Sequence, residues 1–261
     1  MVRIAVIGIG GWGKNHVRVL NELDALAAVC DANRERMQLY SKKYRVPGYE
    51  SVDSMVKKEK LDGVTICTPA STHFAIASKV LGEGLNTFVE KPMTTTSKDG
   101  ESLIELDVGI VKDASVHDID TARWLFGEEP RVVFARVGNV KSEKDEDFAA
   151  IMLGFGEQRT AFITTNWVTP ARVRTLEAVF ENGVVNVDFV SQQTQVHEED
   201  GTRMPKLVIQ EPLMLELKEY LAAIEEKRQP LVRGEDGVMV TRIAEAVLAS
   251  SHSGTPIFMK P

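Results

Sequence analysis

Near its start the sequence reads Arg3-Ile4-Ala5-Val6-Ile7-Gly8-Ile9-Gly10-Gly11-Trp12-Gly13, an apolar run that leads directly into a glycine-rich turn. The glycines have the spacing GxGxxG, and an amphipathic stretch follows them. In such a strand–turn–helix unit, Gly8 allows a tight turn, Gly10 lets the backbone approach a pyrophosphate, and Gly13 lets helix and strand pack closely. This context predicts a Rossmann-type parallel sheet that binds a dinucleotide.

An acidic residue stands where ribose recognition needs one, eighteen residues beyond Gly13. Asp31 ends the second apolar run, so its carboxylate should accept hydrogen bonds from ribose hydroxyls and repel the additional phosphate of NADP. We therefore expect NAD as the cofactor. The argument for NADP is Arg34, which is close enough in sequence to meet that phosphate. The predicted contacts in this half of the site are Gly8, Ile9, Gly10, Gly11, Trp12, Gly13, Asp31 and Arg34.

The remaining pattern predicts an α/β protein with two domains. Up to about residue 100, short apolar runs alternate with amphipathic stretches, as in βαβ units around a parallel sheet. Predicted strands are 3–8, 25–30, 63–68 and 86–89, and predicted helices begin at 13 and cover 33–44, 52–58 and 71–83. From residue 131, extended runs at 132–140, 148–155, 160–167, 174–180 and 184–190 predict an antiparallel sheet, and helices follow after 212 and at 237–250. We place the domains at 1–116 and 117–261.

Composition narrows the possible partners and location. The formal net charge of −7 and the absence of a basic run argue against nucleic acid, because phosphate backbones are bound by clustered Lys and Arg. Cys30 and Cys67 lie in apolar runs, which favours buried free thiols in a reducing compartment. The first apolar run is too short for a membrane span and lacks the features of an export signal. We expect a cytoplasmic protein that does not bind membranes.

A second cluster, Cys67-Thr68-Pro69-Ala70-Ser71-Thr72-His73, ends a predicted strand and begins a helix. Residues at the carboxyl edge of a parallel sheet lie near the cofactor, so Thr68, Pro69 and His73 are further candidate cofactor contacts. An alternative is that Ser71 or Thr72 caps the helix and that His73 lies at the surface.

At Glu90-Lys91-Pro92 the chain comes to resemble a known family, since this tripeptide accompanies the glycine fingerprint and Thr68-Pro69. It is similar to the Gfo/Idh/MocA oxidoreductases. The resemblance implies a Rossmann domain followed by an α/β domain with a large open, mostly antiparallel sheet, and hydride transfer between NAD and a sugar hydroxyl. Glu90 and Lys91 would contact the cofactor. Lys91, Asp113 and His117 match the family's catalytic lysine, aspartate and histidine, the last two in an Asp-x-x-x-His motif.

Alcohol oxidation asks for the same residue types independently of the resemblance. Removing a hydroxyl proton needs a group that titrates near neutral pH, which His117 provides. Lys91 can stabilise negative charge that develops on the hydroxyl oxygen. Asp113 lies four residues before His117, so in a helix its carboxylate could orient the imidazole or bind the sugar. The alternative for His117 is a histidine near a helix N-terminus that bonds only to the backbone.

A narrower resemblance rests on Gly13-Lys14-Asn15-His16, on residues 107–120, and on Asn166-Trp167-Val168-Thr169-Pro170 with the following residues 172–175. These look like the branch of UDP-N-acetylglucosamine 3-dehydrogenases, with UDP-N-acetylglucosaminuronate 3-dehydrogenases as near relatives. The resemblance implies oxidation of the 3-hydroxyl of a UDP-N-acetyl-hexosamine or its uronate. The alternatives are a dehydrogenase of a free sugar, inositol or polyol, and a non-catalytic regulator that senses a dinucleotide.

Three residues of the second domain are candidate substrate contacts beside Lys91, Asp113 and His117. Arg172 and Arg174 could meet a diphosphate or uronate, because guanidinium donors match those oxygens. The alternative is that they face solvent from one side of a strand. Trp167 fits a ligand ring or an oligomer interface equally well. Apolar residues on both faces of the predicted antiparallel sheet, together with the resemblance, imply a homodimer or homotetramer.

The chain departs from the family at one place. Members carry a further Rossmann strand and a loop with substrate-site residues where Leu106 here runs straight into Asp107. Two explanations stay open. Either the protein has this segment and the numbering runs across it, or the segment has been deleted from the protein. A deletion would leave apolar neighbours of the lost strand uncovered.

Overall fold

Five parallel strands form the N-terminal sheet of the computed structural model, which describes residues 1–93 and 109–259. The strands are β1 (Ile4–Ile7), β2 (Leu26–Cys30), β3 (Gly48–Tyr49), β4 (Gly63–Ile66) and β5 (Asn86–Val89), in the order β3-β2-β1-β4-β5. The central strand β1 is buried along its whole length and pairs with β2 and β4. The predicted Rossmann sheet is confirmed. Strand β3 was not predicted, because two residues carry no periodicity.

Four helices join these strands: α1 (Gly13–Glu22), α2 (Arg34–Tyr44), α3 (Val52–Lys58) and α4 (Ala70–Gly82). Helix α1 turns His16, Val17 and Leu20 toward the sheet. Helix α2 begins at a cap, because the Asn33 side chain accepts a hydrogen bond from the backbone N–H of Arg36 at 2.9 Å. The carboxyl ends of β1, β2, β4 and β5 therefore meet at one edge, where the candidate residues lie.

The second part of the chain contains two antiparallel sheets. In one, β6 (Val132–Gly138), β7 (Phe148–Phe155), β8 (Arg159–Asn166) and β13 (Ile257–Phe258) have the order β13-β6-β7-β8. In the other, β9 (Thr175–Phe180), β10 (Gly183–Asp188), β11 (Gln193–Glu198) and β12 (Gly201–Arg203) have the order β12-β11-β10-β9.

The predicted antiparallel arrangement is confirmed, but the strands do not form one large open sheet. Strand β8 ends at Asn166, whose side-chain oxygen accepts hydrogen bonds from the N–H groups of Val168 at 3.1 Å and Thr169 at 2.8 Å. This local turn, followed by Pro170, takes the chain out of the first ladder. Strand β9 consequently begins a new one.

The helices of the second half of the chain pack in two different hydrophobic cores. A π-helical turn (Val111–Ser115) continues into α5 (Val116–Phe126), and Ile110, Val111 and Ile119 pack in one core with the β6–β8 sheet and α7 (Gly234–Ser253). Helix α6 (Pro212–Glu226) instead returns to the N-terminal core. The Tyr220 hydroxyl contacts the carbonyl oxygens of Val64 at 3.1 Å and Asn86 at 2.8 Å.

This packing bears on the predicted domain division at residue 116. Residues 110–116 pack with the second core, although the division assigns them to the first domain, and α6 packs with the first core, although it follows the division. The domain boundary after residue 116 therefore stays a prediction. The junction at Leu106 and Asp107 lies outside the described residues. Within 1–93 and 109–259, none of the helices has the length and apolar composition of a membrane span.

Candidate cofactor and catalytic site

The glycine turn after β1 forms an open cradle. Gly8 has φ +87°, and a Cβ atom at Gly13 would overlap the carbonyl oxygen of Gly8, so both positions exclude larger residues. Among the described residues, and apart from each glycine and its two chain neighbours, no atom lies within 4 Å of where a Cβ atom at Gly10 or Gly11 would stand. Free space above these two glycines and the N–H groups at the start of α1 fit the pyrophosphate of a dinucleotide. Ile9 is buried, whereas Trp12 is exposed at the rim.

Asp31 is fixed by four hydrogen bonds and is only 5% exposed. Its Oδ2 accepts from the Ile9 N–H at 2.7 Å and Arg36 Nε at 2.8 Å, and its Oδ1 accepts from the Asn33 N–H at 2.7 Å and Arg36 Nη2 at 3.0 Å. Burial alone would raise the pKa of this carboxyl, but these hydrogen bonds outweigh it and leave the pKa lowered. Asp31 is therefore a carboxylate at neutral pH.

The arginine beside Asp31 is Arg36, which sequence reasoning missed. The candidate Arg34 is mostly exposed, and its Nε lies 3.6 Å from Glu50 Oε1. Both arginines lie in the first turn of α2, and the orientation of the helix relative to Asp31 decides which of them faces that residue. The only signal in the sequence was a second arginine two residues after the first.

His73 joins two of the segments that were predicted to meet at the sheet edge. It is buried, with Nε2 at 2.8 Å from the Thr68 carbonyl and Nδ1 at 3.0 Å from the Pro92 carbonyl. The alternative of a surface histidine is therefore wrong. Pro69 precedes α4 without a side-chain cap, so the alternative of capping by Ser71 or Thr72 is also wrong. His73 connects the ends of β4 and β5.

Lys91 and Asp113 form the centre of the candidate catalytic group. Lys91 Nζ lies 2.6 Å from Asp113 Oδ1 and 2.7 Å from the Asp113 carbonyl oxygen. Asp113 belongs to the π-helical turn, a rare conformation that is frequent at functional sites. Both side chains remain partly exposed, so the ammonium group is held in place without being sealed from a ligand.

His117 lies in the first turn of α5, four residues after Asp113. Partial desolvation of the ring, the neighbouring Lys91 ammonium and Arg174 lower its pKa to about 4, while Asp113 and Glu90 act in the opposite direction. The residue is nevertheless an exposed one, so its ring is open to a ligand. The imidazole is therefore neutral at pH 7 and can accept a proton, but it is a weaker base than the near-neutral group that the sequence led us to expect. Sequence reasoning had already grouped it with Asp113 and Lys91, and the structure adds Arg174 to its surroundings.

Glu90 lies behind this group and contacts His16, which belongs to a segment that carries the narrower resemblance but was given no role in the site. Glu90 Oε1 is 2.6 Å from Nε2 of the fully buried His16, and Oε2 accepts from the Lys91 N–H at 3.2 Å. Ligand atoms of His16, Cys67 and Glu90 lie within 4.8 Å of one another, close enough for a metal ion. However, His16 and Glu90 already bond directly, and burial raises the pKa of the Cys67 thiol, so this arrangement favours a hydrogen-bonded group.

Only one of the three candidates in the second domain joins the catalytic group. Arg174 lies with its guanidinium 5.3 Å from the Phe189 ring centre and 4.0 Å from Asp118, next to His117. Arg172 is exposed, and Trp167 is half exposed, with its backbone N–H donating to the Asp147 carbonyl oxygen at 2.9 Å. Within the described residues, neither of these two has a hydrogen bond or ion pair to Lys91, Asp113 or His117.

Comparison with known proteins places this geometry in context. Residues 2–108 match the family model described as oxidoreductase family, NAD-binding Rossmann fold, and residues 75–186 match the GFO/IDH/MocA C-terminal domain. The UDP-N-acetylglucosamine 3-dehydrogenase of Acidithiobacillus ferrooxidans is 24% identical, with 95% of each chain covered. That alignment runs over 304 positions, so the relative contains internal residues that this chain of 261 lacks.

Other relatives act on different sugars or polyols. The myo-inositol 2-dehydrogenase of Thermotoga maritima is 23% identical, over 95% of this chain and 96% of the relative.

A solved structure of the Acidithiobacillus enzyme superposes with a TM-score of 0.89 at 22% identity, over 97% of this chain and 98% of that one. The glycine cradle, the Glu90-Lys91-Pro92 segment and both family models agree, and the chain therefore belongs to the Gfo/Idh/MocA family of NAD-binding oxidoreductases.

Proposed function

We propose that this protein oxidises a secondary hydroxyl of a sugar, specifically the 3-hydroxyl of a UDP-N-acetyl-hexosamine or its uronate. The observation that carries the proposal is the catalytic group at the edge of the cofactor cradle, in which Lys91 bonds to Asp113 beside a neutral His117. Bound NAD supplies a hydride acceptor. The protein itself must then remove a proton and stabilise charge on one oxygen.

The three side chains divide that work. Neutral His117 accepts the hydroxyl proton, because its lowered pKa leaves the imidazole unprotonated at pH 7. The Lys91 ammonium stabilises the negative charge that develops on the oxygen. Asp113 holds Lys91 through two contacts, at 2.6 Å to its carboxylate and 2.7 Å to its carbonyl oxygen, and so keeps the ammonium group oriented. Asp113 is therefore a positioning residue for Lys91.

The charge around His117 supports an anionic substrate. Arg174 is kept in place by Phe189 and lies close to Asp118, a carboxyl whose pKa is raised by burial. Its guanidinium can pair with a diphosphate or uronate oxygen, which an uncharged polyol does not offer. Similarity to a UDP-N-acetylglucosamine 3-dehydrogenase agrees with this assignment. Comparable similarity to an inositol dehydrogenase favours a polyol as the second candidate.

A substrate panel tests the proposal. NADH formation should be fastest with UDP-N-acetyl-hexosamines or their uronates, and slow with free sugars and inositols. Arg174→Met should raise KM for the nucleotide sugar by about tenfold, the expected effect of losing one charge-assisted contact, while Arg172→Met leaves it nearly unchanged. Preference for inositol would establish the second candidate, and NAD binding without any turnover would indicate a regulator.

We also propose that the protein forms a homodimer or homotetramer through the outer face of the β6–β8 sheet. Along β7, Ala149, Ile151, Leu153 and Phe155 are buried on the inner face. On the outer face, Phe162 of β8 is 79% exposed, and it pairs in register with the partly exposed Met152. Phe134 of β6 pairs with the same Met152, so three large apolar residues lie side by side across the sheet, and such a contiguous patch is typical of an interface.

Light scattering tests this assembly. The wild-type protein should give a mass that is at least twice the 28.9 kDa of one chain. Phe162→Asp should shift the mass toward one chain, because a buried unpaired carboxylate is unfavourable in an interface. Leu39→Asp provides a control, since Leu39 is an exposed residue of α2 outside this sheet. A wild-type mass of one chain would contradict the proposal.

A further inference from the structure

The carboxylate expected to bind the adenosine ribose has no acceptor site left. A carboxylate offers about four lone-pair positions on its two oxygens. In Asp31, two of them take the backbone N–H groups of Ile9 and Asn33, and the other two take Nε and Nη2 of Arg36. With the residue only 5% exposed, there is little room for further donors. A ribose hydroxyl can therefore reach Asp31 only after one partner has left.

Arg36 is the partner that can leave. The other two donors belong to the backbone of the glycine turn and of the segment that begins α2, so moving them would disturb both elements. The Arg36 side chain is instead 43% exposed, and the guanidinium sits at the end of a flexible stem. Among the described residues, Asp31 is the side chain with which it forms hydrogen bonds and an ion pair.

We propose that Arg36 sets the dinucleotide preference of this protein, because it blocks Asp31 against the ribose of NAD and, once displaced, pairs with the 2′-phosphate of NADP. The inference goes beyond NAD binding, since it assigns NADP as a second ligand of the same site. It does not depend on which sugar is the substrate.

The two dinucleotides meet Arg36 differently. Binding of NAD replaces two charge-assisted hydrogen bonds on Asp31 with bonds from neutral hydroxyls, and the released guanidinium gains no new anion. Arg36 therefore lowers the affinity for NAD. Binding of NADP also separates the pair, but the phosphate provides the guanidinium with a new anionic partner and reduces repulsion by Asp31.

Binding measurements on the full chain, without sugar, test the inference. Arg36→Met keeps the length of the side chain and removes its charge and donors. We expect it to bind NAD about three- to tenfold more tightly, the scale of one net hydrogen bond, and NADP at least about tenfold more weakly, the scale of a lost phosphate contact. Lys42→Met is the control, because it removes one positive charge from an exposed position in the last turn of the same helix. Both dissociation constants of the control should change less than about twofold.

Two further measurements keep the result interpretable. NADP binding to the wild type should weaken with salt more steeply than NAD binding, and Arg36→Met should lose the difference. Arg36→Lys retains the charge with a single donor group, so it should keep NADP binding while it binds NAD more tightly than the wild type. Weaker NAD binding by a folded Arg36→Met protein, or unchanged NADP binding, would overturn the inference. If Arg36→Met does not fold, the Lys variant decides by the same criteria.

Discussion

Replacing Lys91 with Met should lower turnover by about a hundredfold or more and leave NAD affinity nearly unchanged. The effect is large because the ammonium group is the only proposed source of positive charge for the reacting oxygen, and losing one such group from an active site costs about two to three orders of magnitude. Its position is set by Asp113, at 2.6 Å from the carboxylate. Steady-state kinetics with a saturating nucleotide sugar, together with calorimetric NAD binding, measure the two quantities separately.

Lys42→Met is a suitable control, since Lys42 is an exposed residue in the last turn of α2. It removes the same charge from the cofactor domain and should leave turnover unchanged. Near-normal turnover of the Lys91 variant would remove this residue from the mechanism. Loss of NAD binding in parallel with turnover would mean that Lys91 serves the cofactor and not the sugar oxygen.

Replacing His117 with Asn should also lower turnover by about a hundredfold or more, because a general base contributes that much or more. The pH dependence adds a second readout. Protonation of His117 abolishes its function as a base, so in the wild type kcat/KM for oxidation should fall as the pH decreases through about 4, well below the ordinary histidine pKa. In Lys91→Met the pKa of His117 should rise, because one cation that disfavours the imidazolium is gone.

Proton NMR can follow this titration directly, because the chain has only five histidines. The resonance that disappears in His117→Asn identifies the ring. His197→Asn is the control: His197 bonds to Thr202 in the β9–β12 sheet, outside the catalytic group, so its loss should leave turnover unchanged. A wild-type His117 that titrates near pH 6.5 would contradict the electrostatic role given to Lys91 and Arg174.

The sequence predicted secondary-structure elements correctly where a local pattern is compatible with only one kind of element. The strand at 86–89, the helix at 52–58 and the strand at 148–155 have the predicted bounds, because apolar periodicity and turn residues agree there. The glycine fingerprint likewise predicted the parallel sheet and the cradle. In each case the responsible residues are neighbours along the chain.

Predictions were incomplete where the outcome depends on residues that are distant in sequence. Strand β11 (Gln193–Glu198) was missed, because its polar residues lack the apolar alternation of a strand with one buried face. The π-helical turn was missed, because helical periodicity does not reveal one wider turn. The contact between His16 and Glu90 spans 74 residues, and only the pairing of β1, β4 and β5 brings them together.

The return of α6 to the N-terminal core has a consequence for biosynthesis. Leu213, Leu217 and Tyr220 are buried in that core, and the Tyr220 hydroxyl contacts the backbone of β4 and β5. A ribosome makes the glycine cradle first but releases these three side chains only after most of the chain has been translated. During synthesis the cofactor-binding half therefore exposes one apolar face to solvent. Its folding is completed only when the helix that covers this face has been translated.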